Sequence, residues 1–284
     1  GDDGRRDPRA AIKMKILVTP RSITKDGHAA LDPLTRAGFE LVFSTPGRQP
    51  DEDELIRLLP GCVGYLAGVE KITGRMLESA SDLKVISRNG VGVDNIDLTR
   101  ANELGISVRG TPGANAQGVA ELVIGLIFAL VRSIPFGDSA IKQSRWERRI
   151  GVELNGRTLG LVGCGRIGKQ VARLALGLGL EVVAFDPCAD YSFIPSDRFR
   201  YHPLHDVLRR ADIISVHCPL QANGCPVIDS EAISLMKKGS YLVNTARAGL
   251  VEQKTVLDAL ERGHLPGAGI DVFAREPPVA DTLP

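Results

Sequence analysis

The segment from Thr158 to Pro187, TLGLVGCGRIGKQVARLALGLGLEVVAFDP, constrains the fold of this chain more than any other segment. It opens with an apolar run, Leu159 to Val162, that has the length and composition of a buried strand. A G-x-G-x-x-G pattern follows, and after it the apolar side chains recur at helical intervals. The three glycines of the pattern are Gly163, Gly165 and Gly168. These features predict a strand, a tight glycine turn and a helix.

The second half of the same segment predicts the ligand of that turn. A β-branched run, Glu181 to Phe185, ends in the acidic residue Asp186. Glycines let backbone N–H groups approach a pyrophosphate, which then lies at a helix N-terminus, where unpaired donors and the helix dipole favour anions. We expect Asp186 to accept hydrogen bonds from ribose hydroxyls and to repel a 2′-phosphate. The segment therefore predicts NAD as the cofactor, with NADP as the minority alternative.

Composition and charge exclude several other classes of partner. With 284 residues the chain is long enough for two domains of ordinary size. Its 35 Lys and Arg residues nearly balance 34 Asp and Glu residues, so its charge favours neither a nucleic acid nor a membrane surface. The five cysteines show no C-x-x-C spacing, which predicts reduced thiols and no metal site. We expect a cytoplasmic protein that acts on a small molecule, without a signal peptide or membrane span.

Hydrophobic patterning predicts two α/β lobes after a polar leader, residues 1–13, which we expect to be a tag remnant or a disordered extension. In residues 14–109, short apolar runs alternate with helix-length segments, which is typical of a parallel sheet covered on both faces. The expected strands are 15–18, 40–43, 63–66, 83–87 and 106–108, and the expected helices are 28–37, 51–59, 73–80 and 97–104. In residues 110–284 we expect five parallel strands, at 159–162, 181–185, 212–216, 241–244 and 268–271, with helices between them at the glycine motif, 204–210, 230–237 and 253–262.

The longest helical pattern spans residues 114–132 and is apolar on more than one face. It predicts a helix that is buried in a core, lies between the lobes, or packs on a second subunit. The polar segment 134–154 is expected to be a connector that forms no core by itself and lies over a partner. We expect a homodimer through the 114–132 helix.

Four segments resemble the NAD-dependent D-isomer-specific 2-hydroxyacid dehydrogenases, most closely the phosphoglycerate dehydrogenase branch. They are SRNGVGVDNIDL, ELNGRTLGLVGCGRIG, KKGSYLVNTARAGLV and GAGIDVFAREPP, and the similarity runs from about Met14 to Pro278. The resemblance implies an α/β chain of two doubly wound parallel-sheet lobes, a flavodoxin-like substrate lobe and a Rossmann NAD-binding domain. It also implies hydride transfer between NAD and a small 2-hydroxy or 2-keto acid.

The resemblance assigns catalytic roles to two residues. Arg247, in NTARAG, matches the family's catalytic arginine, whose planar fork holds the substrate carboxylate and the C2 oxygen. Glu276 matches the acid that pairs with a histidine and raises its pKa towards neutrality. In the family that histidine lies in a T-P-H-x-G segment beyond the Glu-Pro-Pro motif, which the sequence, ending at Pro284, does not reach. Because loss of a positioned acid or base typically costs about 10²–10⁴-fold, we expect the chain as given to bind NAD yet turn over poorly.

The resemblance also assigns residues to the substrate and the cofactor. Backbone N–H groups of Gly68, Val69, Val91 and Gly92 match those that face the substrate carboxylate, and the remaining substrate residues are Arg88, Asn115 and Arg148, the last reaching across a dimer. The cofactor set is Val119, Gly163, Gly165, Arg166, Ile167, Gly168, Asp186, Pro187, His217, Pro219, Thr245, Ala246 and Asp271. Within this set the family pattern makes His217 a wall of the cofactor site, not a base.

One departure from the family pattern concerns the substrate. Ala67 stands where phosphoglycerate dehydrogenases commonly place an arginine that helps to bind the phosphate. Because Arg88 is retained and Arg148 is expected to reach across a dimer, the phosphate site is weakened and not excluded. Hydroxypyruvate, glyoxylate or another short 2-keto acid is therefore open as the substrate besides a phosphorylated one. A second hypothesis, motivated by the absent histidine, is an NAD-sensing module of the corepressor kind without turnover. A P-H-x-G motif in the coding sequence beyond Pro284 would favour the enzyme.

Overall fold

The computed structural model describes residues 13–221, 223–275 and 278. The chain forms two compact units, Gly1–Asn115 and Ala116–Pro284. The segment after residue 109 stays with the first unit, since Thr111 donates its N–H to the carbonyl of Gly90 over 2.9 Å. The boundary in the sequence therefore follows Asn115, a few residues beyond the expected one.

The first unit is a five-stranded, all-parallel sheet with helices between its strands. Its strands are β1 (Lys15–Val18), β2 (Glu40–Phe43), β3 (Cys62–Ala67), β4 (Val85–Arg88) and β5 (Ser107–Arg109). Its helices are α1 (Arg21–Asp26), α2 (Asp32–Arg36), α3 (Glu52–Leu58), α4 (Gly74–Glu78) and α5 (Leu98–Glu103). The strand order, β2-β1-β3-β4-β5, is the flavodoxin-like order. The expected fold of this lobe is confirmed.

Local sequence explains where several of these helices begin. The side chains of Asp51 and Asp97 accept the N–H of the third residue beyond them, at 2.8 and 2.9 Å, and so cap α3 and α5. The core lies between these helices and the sheet, where Leu17, Tyr65 and Ile86 of three adjacent strands are at most 2% exposed. These three residues are register partners and belong to one apolar cluster, so their burial stabilises one face of the parallel sheet.

One expected helix of this unit is wrong in its extent, and another was not predicted. Residues 28–37 form a short 3₁₀ turn, Ala29–Leu31, followed by α2. Pro33 lacks an N–H and fits only the first turn of a helix, so a new helix begins there instead of continuing the turn. The unpredicted α1 begins directly after Pro20 and has only six residues, too few to show a helical period.

The second unit is a six-stranded parallel sheet with helices between its strands. Its strands are β6 (Thr158–Val162), β7 (Glu181–Phe185), β8 (Phe199–Tyr201), β9 (Ile213–Val216), β10 (Tyr241–Asn244) and β11 (Ala268–Ile270). Its helices are α6 (Ala116–Val131), α7 (Ile134–Lys142), α8 (Arg166–Gly177), α9 (Leu204–Arg210), α10 (Ser230–Leu235) and α11 (Gln253–Glu261). The order β11-β10-β9-β6-β7-β8 is the doubly wound Rossmann order, with its switch point between β6 and β9.

Two expectations for the second unit are corrected. The sheet has six strands instead of five, because β8 pairs with β7 through Val182 and Phe199. Phe199 is only 2% exposed and packs edge-on against Phe193, with ring centroids 5.2 Å apart. The connector after residue 133 begins with the helix α7, which buries Ala140, and only the run from 141 to 150 is exposed throughout.

The long helix α6 contributes to the core of the second unit. Its residues Ala120, Val123, Ile127 and Val131 are at most 2% exposed and belong to the same apolar cluster as Val171 of α8. The structure therefore confirms the core interpretation for this face of the helix. Among the described residues no single helix is long and apolar enough to cross a membrane; α6 and α7 reach that length only as a pair bent by 63°.

Candidate functional site

Strand register aligns the predicted cofactor residues in one row. Val162 of β6 pairs with Phe185 of β7 and Val216 of β9, so these three strands end level with one another. The same register continues through Asn244 of β10 to Ile270 of β11. The next residue of each strand therefore lies at the same carboxyl edge, about 4.8 Å from its neighbour. These residues are Asp186, Gly163, His217, Thr245 and Asp271.

The glycine turn at the centre of this row requires two of its three glycines for steric reasons. Gly163 has a φ of +99°, and a Cβ there would lie 2.7 Å from the backbone nitrogen of Cys218. A Cβ at Gly168 would lie 2.4 Å from the carbonyl oxygen of Gly163. The first glycine thus makes the turn, and the third lets α8 pack against it.

The N-terminus of α8 is open towards the position of an anion. Gly165 is the N-cap residue, and no side chain caps the helix there. A Cβ at Gly165 would meet no atom within 4 Å, so space is available in front of the helix. Arg166 and Ile167 form the start of the first turn, at the positive end of a 12-residue helix. A pyrophosphate fits this combination of dipole, helix N-terminus and space.

Asp186 is held in place by backbone donors. Cys164 donates its N–H to Oδ2 and Cys188 donates its N–H to Oδ1, each over 2.8 Å. Each carboxylate oxygen retains a lone pair for a ribose hydroxyl. Lys169 of α8 is paired with Asp190 over 2.5 Å, and hydrogen bonds from Lys169 and Ser192 lower the pKa of Asp190 to about 2. The two backbone N–H groups fix the Asp186 carboxylate at the carboxyl end of β7, as the predicted contact to the ribose hydroxyls requires.

His217 and Thr245 follow the adjacent strands β9 and β10. The Nε2 of His217 shares a hydrogen bond of 2.8 Å with Ser215 Oγ, and burial lowers the pKa of His217 to about 4. The imidazole is therefore neutral at neutral pH. Among the described residues, His217 Nδ1 and Thr245 Oγ1 are buried without a hydrogen-bond partner. Buried polar atoms are rarely left unpaired, so these two fit contacts to a bound dinucleotide.

Asn244 organises the loops that carry the predicted catalytic arginine. Its Oδ1 accepts the N–H of Ala246 over 3.0 Å, and its Nδ2 donates to the carbonyl oxygen of Arg247 over 2.9 Å. Its backbone carbonyl accepts the N–H of Asp271 over 3.0 Å. The half-buried Arg247 also donates Nη1 to the carbonyl of Ala246 over 2.7 Å. Sequence reasoning missed Asn244, although an amide directly after the apolar run of β10 was a usable signal.

The remaining predicted cofactor residues are Pro187, Pro219 and Val119, and the predicted catalytic acid is Glu276. Pro187 and Pro219 lie beyond the carboxyl ends of β7 and β9, and Val119 is half-buried on α6. Glu276 lies outside the described residues, so its role stays a prediction. No group of three or more His, Cys, Asp or Glu side chains is placed to hold a metal ion within the described part of the chain.

The candidate substrate residues of the first unit follow β3 and β4. Gly68 donates its N–H inward, to Glu70 Oε1 over 2.8 Å and to Thr19 Oγ1 over 3.1 Å. The expectation that this N–H faces the substrate is therefore corrected. The next residue, Val69, is 52% exposed, and its N–H makes no hydrogen bond among the described residues.

The other predicted substrate residues are less tightly held. Val91 is 38% exposed and Gly92 is half-buried. Arg88 ends β4, and its Nη1 donates to the carbonyl oxygen of Asn89. Asn115 is exposed, as is Arg148, whose guanidinium lies 5.4 Å from the ring centroid of Trp146. Within the first unit, Arg88 pairs in register with Ala67, directly before the 68–69 turn.

The row of residues at the carboxyl edge, the open α8 N-terminus and the fixed Asp186 define a dinucleotide-binding protein of the Rossmann class. Residues 124–283 match the family model described as "D-isomer specific 2-hydroxyacid dehydrogenase, NAD binding domain". The chain belongs to the D-isomer specific 2-hydroxyacid dehydrogenase family.

Two curated relatives illustrate the match. The hydroxypyruvate reductase of Thermotoga maritima is 37% identical over 255 residues, which are 87% of this chain and 82% of the relative. The D-3-phosphoglycerate dehydrogenase of Methanocaldococcus jannaschii is 41% identical over 221 residues, which are 75% of this chain. The chain spans only 41% of the length of that second relative.

Solved structures agree with this fold. The TT0316 protein from Thermus thermophilus matches with a TM-score of 0.85 and 36% identity, over 94% of this chain and 84% of that one. The D-lactate dehydrogenase from Aquifex aeolicus, complexed with NAD and lactic acid, matches with a TM-score of 0.79 and 29% identity, over 94% and 82%.

Proposed function

We propose that this chain interconverts a short, unphosphorylated 2-keto acid, such as hydroxypyruvate or glyoxylate, with its D-2-hydroxy acid by means of NAD(H). The observation that carries the proposal is the register-aligned row at the carboxyl edge, which extends from Asp186 to Asp271 and holds Arg247 two residues beyond Thr245. The cofactor supplies or accepts the hydride at its nicotinamide ring.

The residues of this chain bind and polarise the substrate. The Arg247 fork donates to the carboxylate and to the C2 oxygen, where negative charge increases during reduction. Asn244 fixes the backbone of Arg247 through the 2.9 Å bond to its carbonyl oxygen, which limits the positions that the guanidinium reaches. The family resemblance assigns the proton of the C2 hydroxyl to a histidine paired with Glu276, outside the described residues.

The absence of a cation at one position supports the unphosphorylated substrate. Ala67, at the end of β3, is fully buried and carries no charge, where the resemblance places an arginine in phosphoglycerate dehydrogenases. Phosphate recognition commonly uses bidentate arginine contacts, so the site loses one of its expected phosphate ligands. The Thermotoga relative, which this chain covers to 82% of its length, is a hydroxypyruvate reductase.

A turnover assay of the purified protein tests this function. NADH oxidation would be followed with hydroxypyruvate, glyoxylate and phosphohydroxypyruvate, and we expect kcat/KM to be highest for one of the first two. Arg247→Lys keeps the charge but loses the planar fork, so kcat/KM falls about 10²-fold while the Kd of NADH stays unchanged. Arg262→Lys, at an exposed arginine on the same unit, is the matched control and should leave both values unchanged.

Two outcomes would contradict the proposal. Tight NADH binding without turnover on any of the three acids would favour the sensing module over the enzyme. A preference for phosphohydroxypyruvate would contradict the substrate class and retain the family activity.

We further propose that the protein is a cytoplasmic homodimer. Its five cysteines are free thiols, which is typical of a reducing compartment. The segment 134–150 exposes large apolar side chains: Ile134 at 55%, Ile141 at 57%, Trp146 at 76% and Ile150 at 100%. Apolar groups at this density on one segment favour a protein partner, and a second copy is the occupant that the predicted dimer supplies. Cell fractionation tests the compartment.

A further inference from the structure

The first unit contains a buried carboxylate that no role assigned above uses. Glu70 is 2% exposed, although Val69 beside it is 52% exposed. Three neutral donors bind Glu70 Oε1: Tyr65 Oη over 2.7 Å, the N–H of Gly68 over 2.8 Å, and Thr19 Oγ1. None of the described cations forms an ion pair with it. Burial of a carboxylate without an ion pair costs free energy, and these three hydrogen bonds offset part of that cost. They therefore hold the Glu70 side chain in one position.

The three donors come from different parts of the fold. Thr19 follows β1 and is fully buried, and Tyr65 lies inside β3 and is 2% exposed. Burial and the adjacent Glu70 raise the pKa of Tyr65 well above its ordinary value, so the phenol remains a donor at every physiological pH. The Glu70 side chain therefore links the carboxyl ends of β1 and β3 through hydrogen bonds. These bonds persist at physiological pH because the Tyr65 phenol stays protonated.

The backbone of Glu70 reaches the other predicted substrate loop. Asn95 Nδ2 donates to the carbonyl oxygen of Glu70 over 2.6 Å, and Ile72 donates its N–H to the carbonyl of Asn95 over 2.8 Å. Ile72 and Ile96 also form a parallel bridge. Asn95 lies three residues beyond Gly92, so Glu70 connects the segment after β3 with the segment after β4.

Steric contact explains how the carboxylate shapes the turn itself. A Cβ at Gly68 would lie 2.7 Å from Glu70 Oε2 and 3.3 Å from the Cα of Pro20. A side chain at position 68 would displace the Glu70 carboxylate and press on the segment after β1, and the N–H of Gly68 is turned inward. The exposed Val69 N–H is then the donor of this turn that remains for a ligand.

We propose that Glu70 is a positioning residue that holds the Gly68–Val69 turn, so that the Val69 N–H binds the carboxylate of the keto acid. The proposal rests on the function proposed above, because it takes its ligand from there. Glu70 acts from behind the turn and does not touch the substrate.

Hydrogen exchange of the turn amides gives a test that is independent of turnover. Glu70→Gln removes the charge that strengthens the three hydrogen bonds. We expect the amide of Gly68 to exchange at least tenfold faster than in the wild type, while the amides of the glycine turn at 163–168 are unchanged. Tyr65→Phe removes a single donor at nearly constant volume, and it should increase exchange at the same amide to a smaller extent. Glu78→Gln, at an exposed ion-paired glutamate of the same unit, is the matched control and should change nothing.

Kinetics separate positioning from a merely structural role. For Glu70→Gln we expect KM for the keto acid to rise about tenfold, with kcat within about twofold of the wild type and the Kd of NADH unchanged. A folded Glu70→Gln protein with wild-type KM would overturn the inference, whatever its thermal stability. So would unchanged exchange at the Gly68 amide.

The failure of the proposed function is distinguishable from the failure of this inference. If the wild type binds NADH without turnover, the function fails, and the inference is then decided by oxamate binding in the presence of NADH. Weaker oxamate binding by Glu70→Gln, at wild-type NADH affinity, would support the positioning role. Equal binding of oxamate by both proteins would overturn it.

Discussion

Backbone N–H donors orient the carboxylate of Asp186. The effect of its charge on cofactor choice can therefore be tested by a substitution that leaves the packing of the side chain unchanged. Each of its oxygens accepts one backbone N–H over 2.8 Å. An asparagine has one acceptor oxygen, so it preserves only one of these two hydrogen bonds. Asp186→Asn removes the negative charge with little change in volume. We expect the ratio of the NADPH Kd to the NADH Kd to fall at least tenfold, because repulsion of the 2′-phosphate disappears while one ribose acceptor is lost. Fluorescence titration with both cofactors measures this ratio.

The control for this change is Asp138→Asn, which removes the same charge from an exposed ion pair with Lys142 on α7. Its cofactor ratio should equal that of the wild type. If Asp186→Asn also leaves the ratio unchanged, the assigned position of the ribose is incorrect.

His217 provides a prediction on stability because burial lowers its pKa to about 4 in the folded state. An unfolded histidine has a pKa of about 6.5, so between these values the unfolded chain binds more protons. The stabilisation is complete above pH 6.5 and is lost as the pH falls towards 4. Between pH 7 and pH 4.5 the wild type should lose about 2 kcal/mol more unfolding free energy than His217→Asn. Urea unfolding of both proteins at the two pH values measures the difference, and parallel losses would show that the pKa of His217 is the same in the folded and unfolded states.

At the scale of single residues, the sequence predicted the positions of side chains better than the hydrogen-bond partners of main-chain N–H groups. Asp186 was predicted from its place directly after an apolar run and Thr245 from the family resemblance, and the register puts both at the carboxyl edge. The inward N–H of Gly68 was not predictable, because it depends on Glu70, whose burial arises from tertiary contacts with Thr19 and Tyr65. A lone acidic residue after a strand gives no signal of that kind.

Among the elements, α8 shows how steric contact fixes the position of a helix. At Gly168 a Cβ would lie 2.4 Å from the carbonyl oxygen of Gly163, which is backbone and cannot yield without opening the turn. We expect Gly168→Ala to destabilise the protein by about 2–4 kcal/mol and to weaken NADH binding at least tenfold, since the helix N-terminus must move. Urea unfolding and fluorescence titration measure the two effects.

The same helix offers a matched control at Gly177. A Cβ there meets no atom within 4 Å, and its φ is not in the left-handed region. Gly177→Ala should therefore leave NADH binding unchanged and stabilise the protein by about 0.4–1 kcal/mol. Equal effects of the two substitutions would contradict the steric account of the glycine turn.

Strands and helices were predicted correctly where the apolar run or the helical period was long enough to be recognised in the sequence. Strands β1, β2, β7 and β10 have the predicted bounds, because each is a run of four or five largely apolar residues between polar turns. The three-residue β8 alternates Phe, Arg and Tyr, and it is a strand only because it pairs with β7. Helix α7 was missed since its apolar residues are few and its polar neighbours dominated the pattern.

At the scale of the whole molecule, chain length and hydrophobic patterning predicted the two-unit α/β organisation, while the oligomeric state depends on surface that only the fold identifies. The exposed apolar side chains of the 134–150 segment follow α6, whose core face is already occupied within the second unit. The 114–132 helix therefore keeps only its outer face, including Leu122 at 40% exposure, for a subunit contact.

Replacement of one apolar side chain of this surface by a charge tests the homodimer. Trp146 is 76% exposed, and tryptophan at the centre of an interface commonly contributes several kcal/mol to association. We expect the wild type to have twice the monomer mass by light scattering at micromolar concentration, and Trp146→Asp to have the monomer mass. Tyr191→Asp places the same charge at an aromatic residue that is 75% exposed on another surface, and this variant should remain dimeric. A monomeric wild type would contradict the dimer, and a dimeric Trp146→Asp would place the contact on the outer face of α6 instead.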